Sequence, residues 1–230
     1  MSRQITLGVF ASGGGTNFQS IIDACESGRI NARVGVLISN RADAGALERA
    51  QKHGIAAEVV PVGKDLSERF EAADQRHVEV LRAAGVDLVC LAGYMRRIGS
   101  GVLRGWPHAV LNIHPAILPS FKGAHGQRDA VEYGVRVSGA TVHFADEEFD
   151  RGPIIIQAAV PVIPGDTEET LGARILQQEH RIYPQAIQWF AEGRLRVEGR
   201  SVLLDPPSSG SYDRHGAGII ISPPLEIERA

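Results

Sequence analysis

The rhythm of apolar runs limits what this chain can become more than any other feature. Through the first two thirds, short runs rich in Val, Ile and Leu alternate with longer stretches that carry apolar residues at helical spacing. That alternation builds βαβ units on a parallel sheet, joined by right-handed crossovers. Strands are expected at 4–11, 33–39, 56–62, 86–92 and 109–114, with crossover helices at 17–27, 43–53 and 67–84. Phe18, Ile21, Ile22 and Cys25 mark the buried stripe of the first helix, and Phe70, Ala73, Val78 and Leu81 that of the third.

After residue 115 the rhythm changes. A proline-bearing loop, PAILPSFKGAHG, leads to a short helix near 127–133 and then to two strand-like runs, GATVHFA and PIIIQAAVPV, separated by an acidic loop. A long amphipathic helix starts at the acidic cap GDTEET and reaches Phe190, and Pro184 is expected to kink or split it. RLRVEGRSVLL, residues 194–204, reads as a terminal hairpin around a Glu-Gly turn. The fold class is therefore α/β: a mostly parallel, doubly wound sheet with a mixed C-terminal edge, a long C-terminal helix and a hairpin. Residues 1–205 are expected to form one domain, and the Pro-, Gly- and Ser-rich residues 206–230 a loosely ordered tail.

With 43% hydrophobic and 22% charged residues the chain can bury a sizeable core. A formal charge of -3 gives no field to attract nucleic acid or an anionic membrane, so an anionic substrate must be caught locally. No apolar run reaches the roughly 18 residues of a membrane span, and the N-terminus reads as a first strand, so a cytoplasmic protein is expected. Cys25 and Cys90 read as small buried hydrophobes in a reducing compartment.

Directly after the first strand, ASGGGTNFQSII runs three glycines into a helix start with Thr16 or Asn17 near the cap. Besides a plain tight turn, this pattern suits an anion: glycines let backbone N–H groups converge, and the helix end adds donors and positive partial charge. The third dinucleotide glycine and a closing acidic residue on the second strand are missing, and no Gly-Lys-Ser/Thr follows for a triphosphate. A single phosphate monoester fits best.

In VLNIHPAILP, Asn112 and His114 stand two apart and share one face of a strand that ends at Pro115, the place where ligands of open α/β sheets lie. An isolated pair of this kind more often caps a strand end than catalyses. Downstream, TVHFADEEFDRGPIII places His143 on a strand and Asp150 on the loop after it. The acidic loop lacks the regular offsets of a calcium site, and no HExxH or CxxC spacing supports zinc, so no metal is expected.

Taken in order, SGGGTN, LAGYMRRI, LNIHPAILPSFKGAHGQRDAVEYG and VHFADEEFDRGPIIIQAAVPV resemble the glycinamide ribonucleotide formyltransferases of purine synthesis, over about residues 5–200. The resemblance implies the formyltransferase fold and two small-molecule substrates, glycinamide ribonucleotide and 10-formyltetrahydrofolate, the latter a co-substrate. It implies no metal, no nucleic acid and no membrane, in a monomer or homodimer. Gly15, Thr16 and Asn17 would hold the ribose phosphate, Thr16 standing where a serine is more usual, and Glu179 would contact the same substrate. The folate site would take Met95, Arg96, Arg97 and Ile98, the loop Asp146, Glu147, Glu148, Phe149 and Asp150, Asn112, and Arg69, which is displaced by one position from the family's arginine. Leu176 stands where the family often has a polar side chain. His125 and His143 would support the site, and His125 favours the glycinamide enzyme over its relatives.

The chemistry implied asks for matching groups. A neutral amine attacking a formyl carbon creates an oxyanion and a cationic nitrogen in one adduct. Asn112 and a protonated His114 would stabilise the oxyanion, while Asp150 would favour the charged imidazole and help relay the amine proton to the folate N10. The alternatives are a formyltetrahydrofolate hydrolase or another formyltransferase of the same fold, or a folate- or nucleotide-binding module without activity.

Overall fold

The computed structural model describes residues 3–62, 68–206 and 219–226, arranged in two compact units that meet in sequence at Asn112 and Ile113. The first unit is the expected parallel α/β half. β1 (Ile5–Phe10) is buried along its whole length and pairs in parallel with β2 (Ala32–Ser39) on one side and β4 (Leu88–Leu91) on the other. β3 (Ala56–Val59) extends the sheet beyond β2, and β5 (Val110–His114) follows β4 through Val110–Asn112. Edge position explains why AAEV suffices for β3: it is largely exposed, and its Glu58 pairs with Arg76 at 3.0 Å.

The connecting helices are α1 (Thr16–Glu26), α2 (Gly45–Lys52), α3 (Glu68–Ala83) and α4 (Ser100–Gly105). α4 went unforeseen because six residues carry no readable period. Its start is fixed from α3, where the Asp74 carboxylate accepts from the Gly101 and Val102 N–H groups at 2.7 and 3.3 Å.

One turn further along α3, His77 is 2% exposed and meets the ring edges of Phe10 and Tyr94, with centroids 5.1 and 6.4 Å away. Among the described residues neither ring nitrogen has a hydrogen-bond partner. Burial pushes the imidazole down to about 4, against a smaller opposing pull from Asp74. Folding therefore favours the neutral form, and stability present above the unfolded value near 6.5 falls as pH drops toward 4. The loss amounts to about 2 kcal/mol by pH 5. His77→Leu surrenders no hydrogen bond and removes that loss. Thermal melts at pH 7 and pH 5 should show a smaller acid-induced drop for the variant, by several degrees. Equal drops in both proteins would refute this account.

The second unit is mixed, as expected. β6 (Val137–Phe144) and β7 (Ile154–Pro161) are antiparallel, and β9 (Ser201–Leu204) joins β7 at Ile154 while forming a hairpin with β8 (Leu195–Glu198). α5 (Gly126–Tyr133) precedes them, and α6 (Glu168–Ala191) packs on β6 and β7 with Leu171, Ile175, Ile182, Ile187 and Trp189 fully buried. A capping box between Thr167 and Thr170 starts α6, and Asp166 pairs with Arg174 at 2.7 Å. Pro184 does not split the helix, which continues through it to Ala191.

Within the segment read as a loose tail, Ile220–Ser222 forms β10, antiparallel to β7 at Gln157–Ala159. Ile221 is 1% exposed. Glu226 then accepts from Trp189 Nε1 at 3.1 Å and pairs with Arg194, while its N–H donates to Gln185 Oε1 at 2.7 Å. Residues 207–218 and 227–230 lie outside the described residues. No helix among the described residues is long and apolar enough to cross a membrane.

Candidate active site

Parallel strands bring their following loops to one end, and in the first unit Ser12 ties three of them together. Its N–H donates to Gly93 O at 3.0 Å, its hydroxyl donates to Asn40 Oδ1 at 2.6 Å, and the same hydroxyl accepts from the Met95 N–H at 2.8 Å. The loops after β1, β2 and β4 are thereby joined, which the sequence reading missed. The glycine loop after β1 enters α1 with Gly15 as N-cap, at φ 71° and ψ 35°, so neither Thr16 nor Asn17 is the cap. Among the described residues no side chain caps the start of the helix. Thr16 is exposed and Asn17 buried.

On the loop after β4, Met95 is 59% exposed, Arg97 is exposed, and Arg96 and Ile98 are half-buried, with Arg96 donating to the Met95 carbonyl at 2.9 Å. Exposed apolar and cationic groups on one loop suit an aromatic ring carrying carboxylates. Arg69 falls on α3, but its side chain lies outside the described residues.

In the second unit, Asp150 lies between two histidines. Its Oδ2 is 3.6 Å from His114 Nδ1 and its Oδ1 is 3.8 Å from His143 Nε2, and all three side chains are at least nine-tenths buried. The Gly123 N–H donates to Oδ2 at 2.9 Å. The backbone of Asp150 is left-handed, φ 51°, a conformation that Asp and Asn tolerate better than most residues. His114 Nε2 donates to the Phe121 carbonyl at 2.8 Å, while its Nδ1 faces Asp150 Oδ2. Delivery of that Nε2 proton to a substrate oxygen requires it to leave Phe121. His143 differs: burial pushes its imidazole below the ordinary value, outweighing the raising effects of its bond to Phe144 O and of Asp150. Asp150 thus faces two buried histidines, of which burial favours the neutral form of His143.

The loop behind His114 is braced by Thr141 and Gln157, which the sequence reading also passed over. The Thr141 hydroxyl donates to Ala116 O at 2.7 Å and accepts from the Leu118 N–H at 3.1 Å, while Gln157 Nε2 donates to Leu118 O at 3.0 Å. No sequence pattern signals side chains that bind distant backbone in this way.

The remaining expected residues are dispersed within their units. Asn112 is the half-exposed centre of β5. Asp146, Glu147, Glu148 and Phe149 form an exposed turn, with Asp146 accepting from the Glu148 N–H at 2.9 Å and Glu148 paired to Arg151. Glu179 is 6% exposed on α6, Leu176 is half-buried beside it, and His125 is an exposed residue at the start of α5. Among the described residues no group of three or more His, Cys, Asp or Glu side chains is arranged to hold a metal.

The comparisons agree on one family. The description "Formyl transferase" matches residues 6–187. Phosphoribosylglycinamide formyltransferase of Escherichia coli (strain K12) is 41% identical over 209 residues, spanning 89% of this chain and 98% of the relative. A crystal structure of glycinamide ribonucleotide transformylase 1 from Symbiobacterium toebii superposes with a TM-score of 0.84 at 54% identity, over 87% of this chain and 94% of that one. A formyltetrahydrofolate deformylase from Pseudomonas syringae pv. tomato superposes at 0.81 with 28% identity, over 88% of this chain and 66% of that one. This chain belongs to the formyl transferase family.

Proposed function

We propose that the protein transfers the formyl group of 10-formyltetrahydrofolate to the amine of 5-phosphoribosylglycinamide, giving formylglycinamide ribonucleotide and tetrahydrofolate. The observation that carries the reading is the buried pair of His114 and Asp150, an imidazole and a carboxyl group 3.6 Å apart.

In the step proposed, the amine nitrogen forms a bond to the formyl carbon, whose oxygen becomes an oxyanion. Asn112, a neutral amide donor, and the His114 imidazolium stabilise that charge. The amine proton passes by way of Asp150 to N10, the carbon–N10 bond breaks, and the formyl group stays on the amine. Gly15, Thr16 and Asn17 hold the ribose phosphate at the start of α1, and Glu179 contacts the same substrate. Met95 and Ile98 offer apolar surface to the pterin, Arg96 and Arg97 offer charge to the glutamate carboxylates, and the turn from Asp146 to Asp150 completes the folate contacts. The enzyme works in the cytoplasm as a monomer or homodimer.

Water in place of the amine would make the same groups a hydrolase, and the likeness to a deformylase gives that reading its one support. A single assay separates the two. Purified protein is given both substrates, folate is followed by absorbance, and formylated amine and formate are quantified by mass spectrometry. One formylated amine per folate released is expected. Formate without formylated amine would replace the transferase by a hydrolase, and no turnover at all would reduce the chain to a binding module.

A further inference from the structure

The carbonyls of the glycine loop turn toward α2. The Gly13 carbonyl accepts from the Ala46 N–H at 3.1 Å, and the Gly14 carbonyl accepts from Arg49 Nε at 2.7 Å. A trans peptide is planar, with its C=O and N–H pointing in opposite directions. Drawing these two carbonyls toward α2 therefore aims the Gly14 and Gly15 N–H groups the other way. That is how a concave nest of donors for an oxyanion is made.

Arg49 is itself held. Its NH1 donates to Gln19 Oε1 at 3.0 Å, and Gln19 Nε2 donates to Asp23 Oδ1 at 2.8 Å and approaches His53 Nε2 at 3.1 Å. His53 Nδ1 in turn meets Glu26 Oε1 at 2.7 Å. Two acceptors in different directions fix the guanidinium plane as a single ammonium could not. Arg49 also brings a positive charge to a loop in which no side chain is cationic.

We infer that Arg49 is a positioning residue for the phosphate of the amine substrate: it orients the Gly14–Gly15 peptide for the anion and adds the positive charge that the loop lacks. The inference rests on the proposed phosphate role of Gly15 to Asn17. Nothing in the sequence marks Arg49, because it acts through a backbone carbonyl 35 positions away.

The test is steady-state kinetics of Arg49→Met, which keeps the apolar stem and deletes charge and donors, and Arg49→Lys, which keeps the charge. Arg49→Met should raise KM for the phosphorylated amine by about tenfold or more, the scale of one charge-assisted hydrogen bond, with kcat and the formylfolate KM within about threefold. The inhibition constant of ribose 5-phosphate should rise in parallel, and Arg49→Lys should recover part of both losses. Equal losses toward both substrates would mean Arg49 merely supports the fold and would overturn the inference. So would an unmoved KM in Arg49→Met alongside a raised KM in Gly15→Val, which leaves the loop assignment standing. An unmoved KM in both variants removes the loop assignment and the inference with it.

Discussion

Asp150→Asn is expected to lower kcat by at least about a hundredfold while KM for either substrate stays within a few fold. The substitution keeps size and the left-handed backbone, which Asn accepts, and the second carboxylate oxygen gives way to an amide. What it deletes is the negative charge 3.6 Å from His114 Nδ1. His143 cannot substitute, because its ring is buried and held neutral. His114→Ala deletes the acid itself and should cost as much. Because the two groups are paired and act as a unit in the proposed step, the double variant should be little worse than the worse single variant. A double variant whose loss is the full product of the two would show that they act independently, and the proton relay would have to be abandoned.

Gly15→Val carries the second large effect, by a route the sequence does not show. An added Cβ at Gly15 would lie 2.8 Å from the Ala46 Cβ and 2.9 Å from its Cα, at φ 71° where a β-branched residue is strained. The side chain therefore pushes on α2 rather than on the anion, and the loop must shift. Losing two aligned charge-assisted donors corresponds to a rise of about a hundredfold or more in KM for the phosphorylated amine. The formylfolate KM should move far less. Since the clash is with backbone, the melting temperature should fall as well, so fold and binding are both disturbed. A lower melting temperature with an unchanged amine KM would show that the loop holds some other group.

The strands of the first unit and its helices α1, α2 and α3 were legible from the alternation of apolar runs and helical periods, and their observed bounds fall within a few residues of expectation. Asn112 and His114 were legible as a pair because strand alternation needs no distant information. Asp150 depended on the family resemblance, since nothing in DEEFDRG announces that one carboxylate of several is buried between two histidines. The contacts of Ser12, Arg49, Thr141 and Gln157 were invisible for a common reason. Each acts on polar groups far away in sequence, and such bonds leave no pattern in residue type. β10 was hidden differently: Ile220, Ile221 and Ser222, set among prolines, glycines and serines, are too few to bury a face alone, and they become a strand only because β7 offers an edge.

That last strand has a consequence for how the protein is made. Synthesis runs from the N-terminus, so β7 is finished while β10 and Glu226 are still to come. Until they emerge, the backbone of Gln157–Ala159 lacks its partner on the β10 side, and Arg194 and Trp189 lack the carboxylate that joins them. An open, apolar strand edge is a template for pairing with another chain. The nascent second unit is thus most exposed to misassembly in the interval between the synthesis of β7 and that of β10, and the arrival of β10 and Glu226 ends that interval.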